Sequence, residues 1–157
     1  MNLIGPQTYR LQNSRIRYAV VSPEGVEHFT KPATEPIPKL YAISKDNALL
    51  YIGVTKQPLA SRFRGGMNAT GEHGYHGYSW RRIEGVLRLD VWCLEGSSDE
   101  SSSRELETIE AETVLLFRNE HGQWPDEQTE IHFHPSNEFH RDCARQIINS
   151  IVNNHAG

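Results

Sequence analysis

The chain has 157 residues, with 16 Lys and Arg against 20 Asp and Glu, a formal charge of -4, and two cysteines. That length suits a single domain with its own core. No apolar run nears the roughly 20 residues of a membrane helix, Met1 to Pro6 lacks a basic start followed by an apolar stretch, and Cys93 and Cys143 fall outside any CxxC spacing; a cytoplasmic location is expected, and a membrane span or zinc site is not.

The first 38 residues read as a β-hairpin followed by a Pro-rich linker. Arg15 to Val21 is rich in β-formers, Ser22-Pro23-Glu24-Gly25 is a turn with Pro at its second position, and Val26 to Phe29 is expected to return as the partner strand. Pro32, Pro36 and Pro38 then forbid a ladder, so Thr30 to Pro38 is expected to be extended. Lys39 to Ile43 and Leu49 to Val54 form a second hairpin around the polar turn Ser44-Lys45-Asp46-Asn47. Its two tyrosines, Tyr41 and Tyr51, would face one pocket on neighbouring strands.

Pro58 suits the first turn of a helix, on which Leu59 and Phe63 make an i, i+4 apolar pair and Arg62 is offset from it. Gly65 to Tyr78, rich in Gly and His and without period, reads as a loop. Val86 to Leu94 alternates and is a third strand. Ser102-Ser103-Arg104-Glu105 fits a capping box, predicting a helix to about Glu120 that stops near Gly122. On it Ile109, Glu112 and Leu116 share a face, and an acid on a buried face needs a partner or a metal. Glu110, on a face with Leu106, Val114 and Phe117, is the rival acid. Glu130 to His134 reads as a short strand, and Asn137 or Ser136 caps a last amphipathic helix carrying Phe139, Cys143, Ile147 and Ile151. Trp80, Trp92 and Trp124 are expected to anchor the core.

Charge is unevenly spread. Residues 39 to 88 hold eight basic side chains against three acids, or +5, whereas residues 95 to 130 hold eleven acids against Arg104 and Arg118, or -9. The basic segment is the one that carries the tyrosines and Arg62, which suits a phosphate-rich partner.

The ordered set Lys39-Leu40-Tyr41, Tyr51-Ile52-Gly53, Arg62 and a later helical glutamate resembles the GIY-YIG endonucleases over about residues 39 to 137. The second motif is intact, and the first keeps its tyrosine with an aliphatic residue before it. The resemblance implies an α+β domain with a small three-stranded antiparallel sheet flanked by helices. Residues 1–38 would be an added hairpin and linker, and residues 138–157 a C-terminal helix and tail. It implies hydrolysis of phosphodiester bonds in double-stranded DNA, with Tyr41 activating water, Tyr51 orienting water or phosphate, and Arg62 clamping the phosphate. Glu112 would hold one Mg2+ or Mn2+, hard cations that favour carboxylate and water oxygens.

Some relatives also use a histidine after the arginine, for which His76 or His73 stands here, and a late polar residue, for which Asn119 or Asn137 stands. Lys56, Arg64 and Arg81 are expected to contact substrate, with Trp80 beside Arg81 and Arg82. His132 and His134 lack a third ligand at metal spacing. Stand-alone relatives act as restriction-type or structure-selective nucleases, sometimes as dimers, so the resemblance also allows a homodimer. The alternative is a nucleic-acid-binding or protein-interaction module that keeps the fold without catalysis, consistent with the departures at Lys39 and Leu40.

Overall fold

A computed structural model describes residues 1–14, 17–96 and 100–153. Its five strands are β1 (Leu3–Ser14), β2 (Arg17–Val21), β3 (Lys39–Lys45), β4 (Ala48–Thr55) and β5 (Gly85–Leu94), and its helices are α1 (Leu59–Asn68), α2 (Glu100–His121) and α3 (Glu138–Val152). The strands form one antiparallel sheet in the order β2-β1-β5-β3-β4. The architecture is α+β, as the residues predict, but the sheet has five strands where three were expected. The N-terminal hairpin is the reason. It pairs through β1 with β5 along most of its length, so it widens the sheet instead of standing apart.

That hairpin is also built one segment earlier than the sequence suggests. Of the expected Arg15 to Val21 strand, the first two residues lie outside those described, and the rest is β2, which pairs back onto β1. The turn at Ser22 to Gly25 exists, closed by a 2.9 Å bond from the Gly25 N–H to the Ser22 carbonyl, yet Val26 to Phe29 forms no strand. It crosses the sheet face and buries Phe29 edge-on against Tyr9 and Phe63.

The β3–β4 hairpin turns over Asp46 and Asn47, both at positive φ (52° and 63°). These are the residue types that tolerate the left-handed pair a two-residue hairpin needs. Because side chains alternate across a strand, Tyr41 and Ile43 lie on one face with α1, and Leu40 and Ala42 on the other with α2 and α3. Helices cover both faces, so β3 is buried almost throughout instead of on alternate residues.

Four further expectations are corrected. α1 runs through Gly65 and Gly66 to Asn68, because its end is closed from outside: Arg81 donates to the carbonyls of Gly66, Met67 and Ala69. α2 begins at Glu100, so Ser102 and Ser103 lie inside its first turn; part of the polar run before it is outside the described residues. The segment Glu130 to His134 forms no strand. Trp80 and Trp92 are buried, but Trp124 is 47% exposed, in the turn after α2, with the Arg118 guanidinium 5.8 Å from its ring centre. Asn137 caps α3 as expected, in a reciprocal capping box with His140. Both cysteines are buried and free. No helix among the described residues is long and apolar enough to cross a membrane.

Candidate active site

The β3–β4 register sets Tyr41 opposite Gly53 and Ile43 opposite Tyr51, so the two tyrosines project from the same sheet face with ring centres 6.0 Å apart. Gly53 is what lets them meet. A Cβ there would lie 2.8 Å from the Tyr51 hydroxyl and 2.9 Å from that of Tyr41, closer than any ordinary contact. The glycine of the Tyr-Ile-Gly triplet therefore acts through the space it leaves, its backbone not being in the left-handed region.

A third tyrosine completes the group. The hydroxyls of Tyr41 and Tyr78 are 2.6 Å apart, and Tyr78 stacks on Trp80 with ring centres 4.7 Å apart. Its ring also lies flat on α1 over Gly66, where a Cβ would sit 2.2 Å from a ring carbon. Tyr41 has no exposed surface, Tyr78 is 2% exposed and Tyr51 is 9% exposed. Tyr51 is thus the outermost of the three.

Arg62 reaches the cluster from α1. Its guanidinium stands 4.6 Å from the centre of the Tyr78 ring, a cation–π distance, and donates a 2.6 Å hydrogen bond to the hydroxyl of Tyr75, an exposed residue of the glycine-rich loop. Burial raises all three inner tyrosines far above the ordinary phenol range, and a negative charge on one neighbour adds to the rise of the next. Arg62 is the charge that pulls down each of them.

The helical acid at this corner is Glu110. Its charge is felt at Tyr51, and it is itself raised to about 8 by burial and, secondarily, by Glu107. Glu110 makes no hydrogen bond or ion pair among the described residues, while Glu107 bonds His134 at 2.9 Å. Glu112 stands two residues on, roughly 200° around the helix. It shares the flank of Glu105, seven residues earlier, which bonds His140 of α3 at 2.6 Å. Glu110 and Glu112 therefore lie on different flanks of the helix.

The structure brings Tyr41, Tyr51 and Arg62 together on the α1 face of the sheet, while Glu110 stands on α2 and reaches Tyr51 through its charge. His76 is exposed, with its ring against Gly71. Asn119 is exposed on α2, and Lys56 is exposed in the turn between β4 and α1. Arg64 points from the opposite side of α1 to Arg62, toward Tyr18. Arg81 is engaged at the end of α1, and Arg82 pairs with Glu127 at 3.1 Å. Sequence reasoning missed Tyr75 and Tyr78. The Tyr-x-x-Tyr spacing in an otherwise glycine- and histidine-rich loop was their only mark.

The open edge of the sheet beside Tyr51 is covered in an unexpected way. The side-chain amide of Gln128 accepts from the Ile52 N–H at 2.9 Å and donates to the Ile52 carbonyl at 3.0 Å, and the Glu127 N–H donates to the Leu50 carbonyl at 3.0 Å. One glutamine thus stands in for a strand residue and blocks edge pairing.

Glu110 offers one carboxylate, the hard-oxygen type of donor that Mg2+ or Mn2+ takes. The carboxyl is half-buried, unpaired, and disfavoured as an anion until a positive charge arrives. Among the described residues no three His, Cys, Asp or Glu side chains cluster as a metal site, so any such ion would complete its shell with water and phosphate oxygens, as Mg2+ does. No protein-family model, curated protein or solved structure matches the chain.

Proposed function

We propose that this chain is a GIY-YIG-type endonuclease, a hydrolase of DNA phosphodiester bonds. The observation that carries the reading is the convergence of the Tyr41, Tyr51 and Tyr78 hydroxyls beside Gly53 and under the Arg62 guanidinium, with the charge of the unpaired Glu110 carboxyl felt at Tyr51. Hydroxyls that orient water, a fixed guanidinium and a carboxylate free to take a cation are what in-line attack on a phosphodiester requires.

Each residue has a distinct task. Arg62 holds the scissile phosphate and offsets the charge that grows on its oxygens. The hydroxyl that meets an attacking water is that of Tyr51, because Tyr41 has no exposed surface and is bonded to Tyr78. Burial holds Tyr51 as the neutral phenol against the opposing pull of Arg62, so its hydroxyl orients the water, and the water's proton passes to solvent. Tyr41 and Tyr78 fix its position from behind. The new P–O bond forms to the water oxygen as the bond to the 3′ oxygen breaks. A Mg2+ or Mn2+ ion on Glu110 would, when bound, supply positive charge for that departing oxygen.

Two departures from the family pattern have local causes that leave the site intact. Lys39 is wholly buried, and its ammonium donates to the carbonyls of Glu35, Ile37 and Gln57 at 2.7, 2.7 and 2.8 Å. Leu40 packs in the core beneath α2 and α3, on the face away from the tyrosines.

Supercoiled plasmid with Mg2+ gives the test. The parent should nick or cut it, and Arg62→Ala and Glu110→Gln should each lower the rate about 100-fold or more, while Glu112→Gln should keep most of it. Parental rates in both Arg62→Ala and Glu110→Gln would overturn the reading. One observation favours the second reading, a DNA-binding module without catalysis: Tyr75 occupies a guanidinium N–H that a phosphate needs. Salt-sensitive binding of duplex with no metal-dependent cleavage is its signature.

A further inference from the structure

We propose that the cleft between β2 and α1 is a second phosphate-binding subsite, holding the sugar–phosphate backbone of a nucleic acid away from the scissile bond. The inference rests on the nuclease reading only in taking nucleic acid as the substrate.

The cleft has a volume of about 290 Å3 and is lined by Arg17, Tyr18, Ala60, Arg64, Met67 and Asn68, with two guanidinium groups and no carboxylate. Both arginines are exposed, and neither side chain has a hydrogen bond or ion pair among the described residues. Arg82 pairs with Glu127, Arg88 with Asp90, Arg141 with Glu138, and Arg145 with Glu138 and Asp142, while Arg10 and Arg104 are exposed and likewise unpaired among the described residues but do not line this hollow. In a chain of net charge -4, two unpaired cations facing one hollow are an anion-binding arrangement.

The floor of the cleft is firm. The Tyr18 ring packs edge-on against Phe63, with centres 5.3 Å apart, and Phe63 is part of the core that carries Tyr41 and Tyr78. Burial raises the Tyr18 phenol while Arg64 draws it down, placing the guanidinium close to the tyrosine. Asn68 supplies an amide donor at the rim.

Position decides the ligand class. Arg62 and Arg64 are two residues apart on α1, so they point to opposite flanks of one helix. Arg62 grips on the tyrosine side, and Arg64 with Arg17 grips on the β2 side. A polyanion lying across α1 meets both, whereas a single small anion meets only one. The N-terminal hairpin, which lies outside the family resemblance, thereby gains a role: it widens the sheet and brings Arg17 to the substrate track.

Binding of a fluorescein-labelled 20-base-pair duplex, followed by anisotropy in EDTA over a range of KCl, tests the subsite apart from catalysis. Arg17→Gln/Arg64→Gln should weaken binding and make the slope of log K against log[KCl] shallower by about 1, one phosphate contact. Arg141→Gln/Arg145→Gln on α3 removes the same charge and should leave the slope unchanged. An unchanged slope in the first variant, equal losses in both variants, or no duplex binding by the parent overturns the proposal. Plasmid cleavage is scored separately: a shallower slope without cleavage leaves the subsite standing and removes the nuclease reading, and cleavage with an unchanged slope does the reverse.

Discussion

At the scale of single residues, the tyrosine cluster poses a sharp energetic question. The Tyr41 and Tyr78 hydroxyls are buried and share a 2.6 Å hydrogen bond. Removing one hydroxyl strands the other, which costs about 1–3 kcal/mol, whereas removing both leaves apolar rings of unchanged shape. Tyr41→Phe and Tyr78→Phe should therefore each be destabilised by that amount in urea unfolding, and the double variant by clearly less than their sum. Strict additivity would mean that the hydroxyls do not depend on each other. This site was only partly legible beforehand. Tyr41, Tyr51, Gly53 and Arg62 were marked by their order in the chain, but Tyr78 joins them through Gly66, whose lack of a Cβ admits the ring. Sequence periodicity carries no record of such a fit, and the same glycines made the end of α1 look like a loop.

At the scale of elements, Lys39 links three segments that the sequence reads as independent. Its ammonium ties Glu35 and Ile37 of the Pro-rich linker and Gln57 of the β4–α1 turn to the first residue of β3. Burial lowers its pKa to about 8, so near neutrality it is still mainly the cation, with three N–H donors for three carbonyls. Lys39→Met keeps the volume and removes the donors. The expected loss is about 2–4 kcal/mol in urea unfolding at pH 7, with α1 the first element to lose hydrogen-exchange protection, and a loss below about 1 kcal/mol would mean the brace is not a structural one. The strands and helices were readable because they rest on local patterning: the positive-φ turn at Asp46 and Asn47, the apolar stripe of α3 and the cap at Asn137. The β1–β5 pairing was not, since it joins residues some 80 positions apart, and nothing local in Leu3 to Ser14 announces a partner. The expected strand at Glu130 to His134 failed for a related reason: the edge of β4 was already filled by Glu127 and Gln128.

At the scale of the whole molecule, an acidic helix covers the sheet face opposite the tyrosines, and Glu110 is the acid on it whose charge is felt at Tyr51. The division of charge was visible in the sequence, but which acid acts on the tyrosines was not, because Glu110 and Glu112 both have apolar neighbours at helical spacing. Of the two, Glu110 is the acid whose charge is felt at Tyr51, and Glu112 follows the helix flank of Glu105, which bonds His140. The consequence is a pH dependence of definite sign. Glu110 titrates near 8 in the folded chain against 4.5 for a free glutamate, so its contribution to stability is fully present below about 4.5 and is lost as pH rises through about 8. Without divalent ions, Glu110→Gln should melt close to the parent at pH 4.5 and above it at pH 9. A cation reverses the order, because it binds only the carboxylate and must displace the proton. Below pH 8 the Mg2+ affinity of the parent should fall by about tenfold per unit, and saturating Mg2+ should raise its melting temperature more at pH 8.5 than at pH 6.5. The Gln variant should show no such shift. A melting difference between parent and Glu110→Gln that is the same at pH 4.5 and pH 9 would place Glu110 in ordinary solvent and remove it from the site.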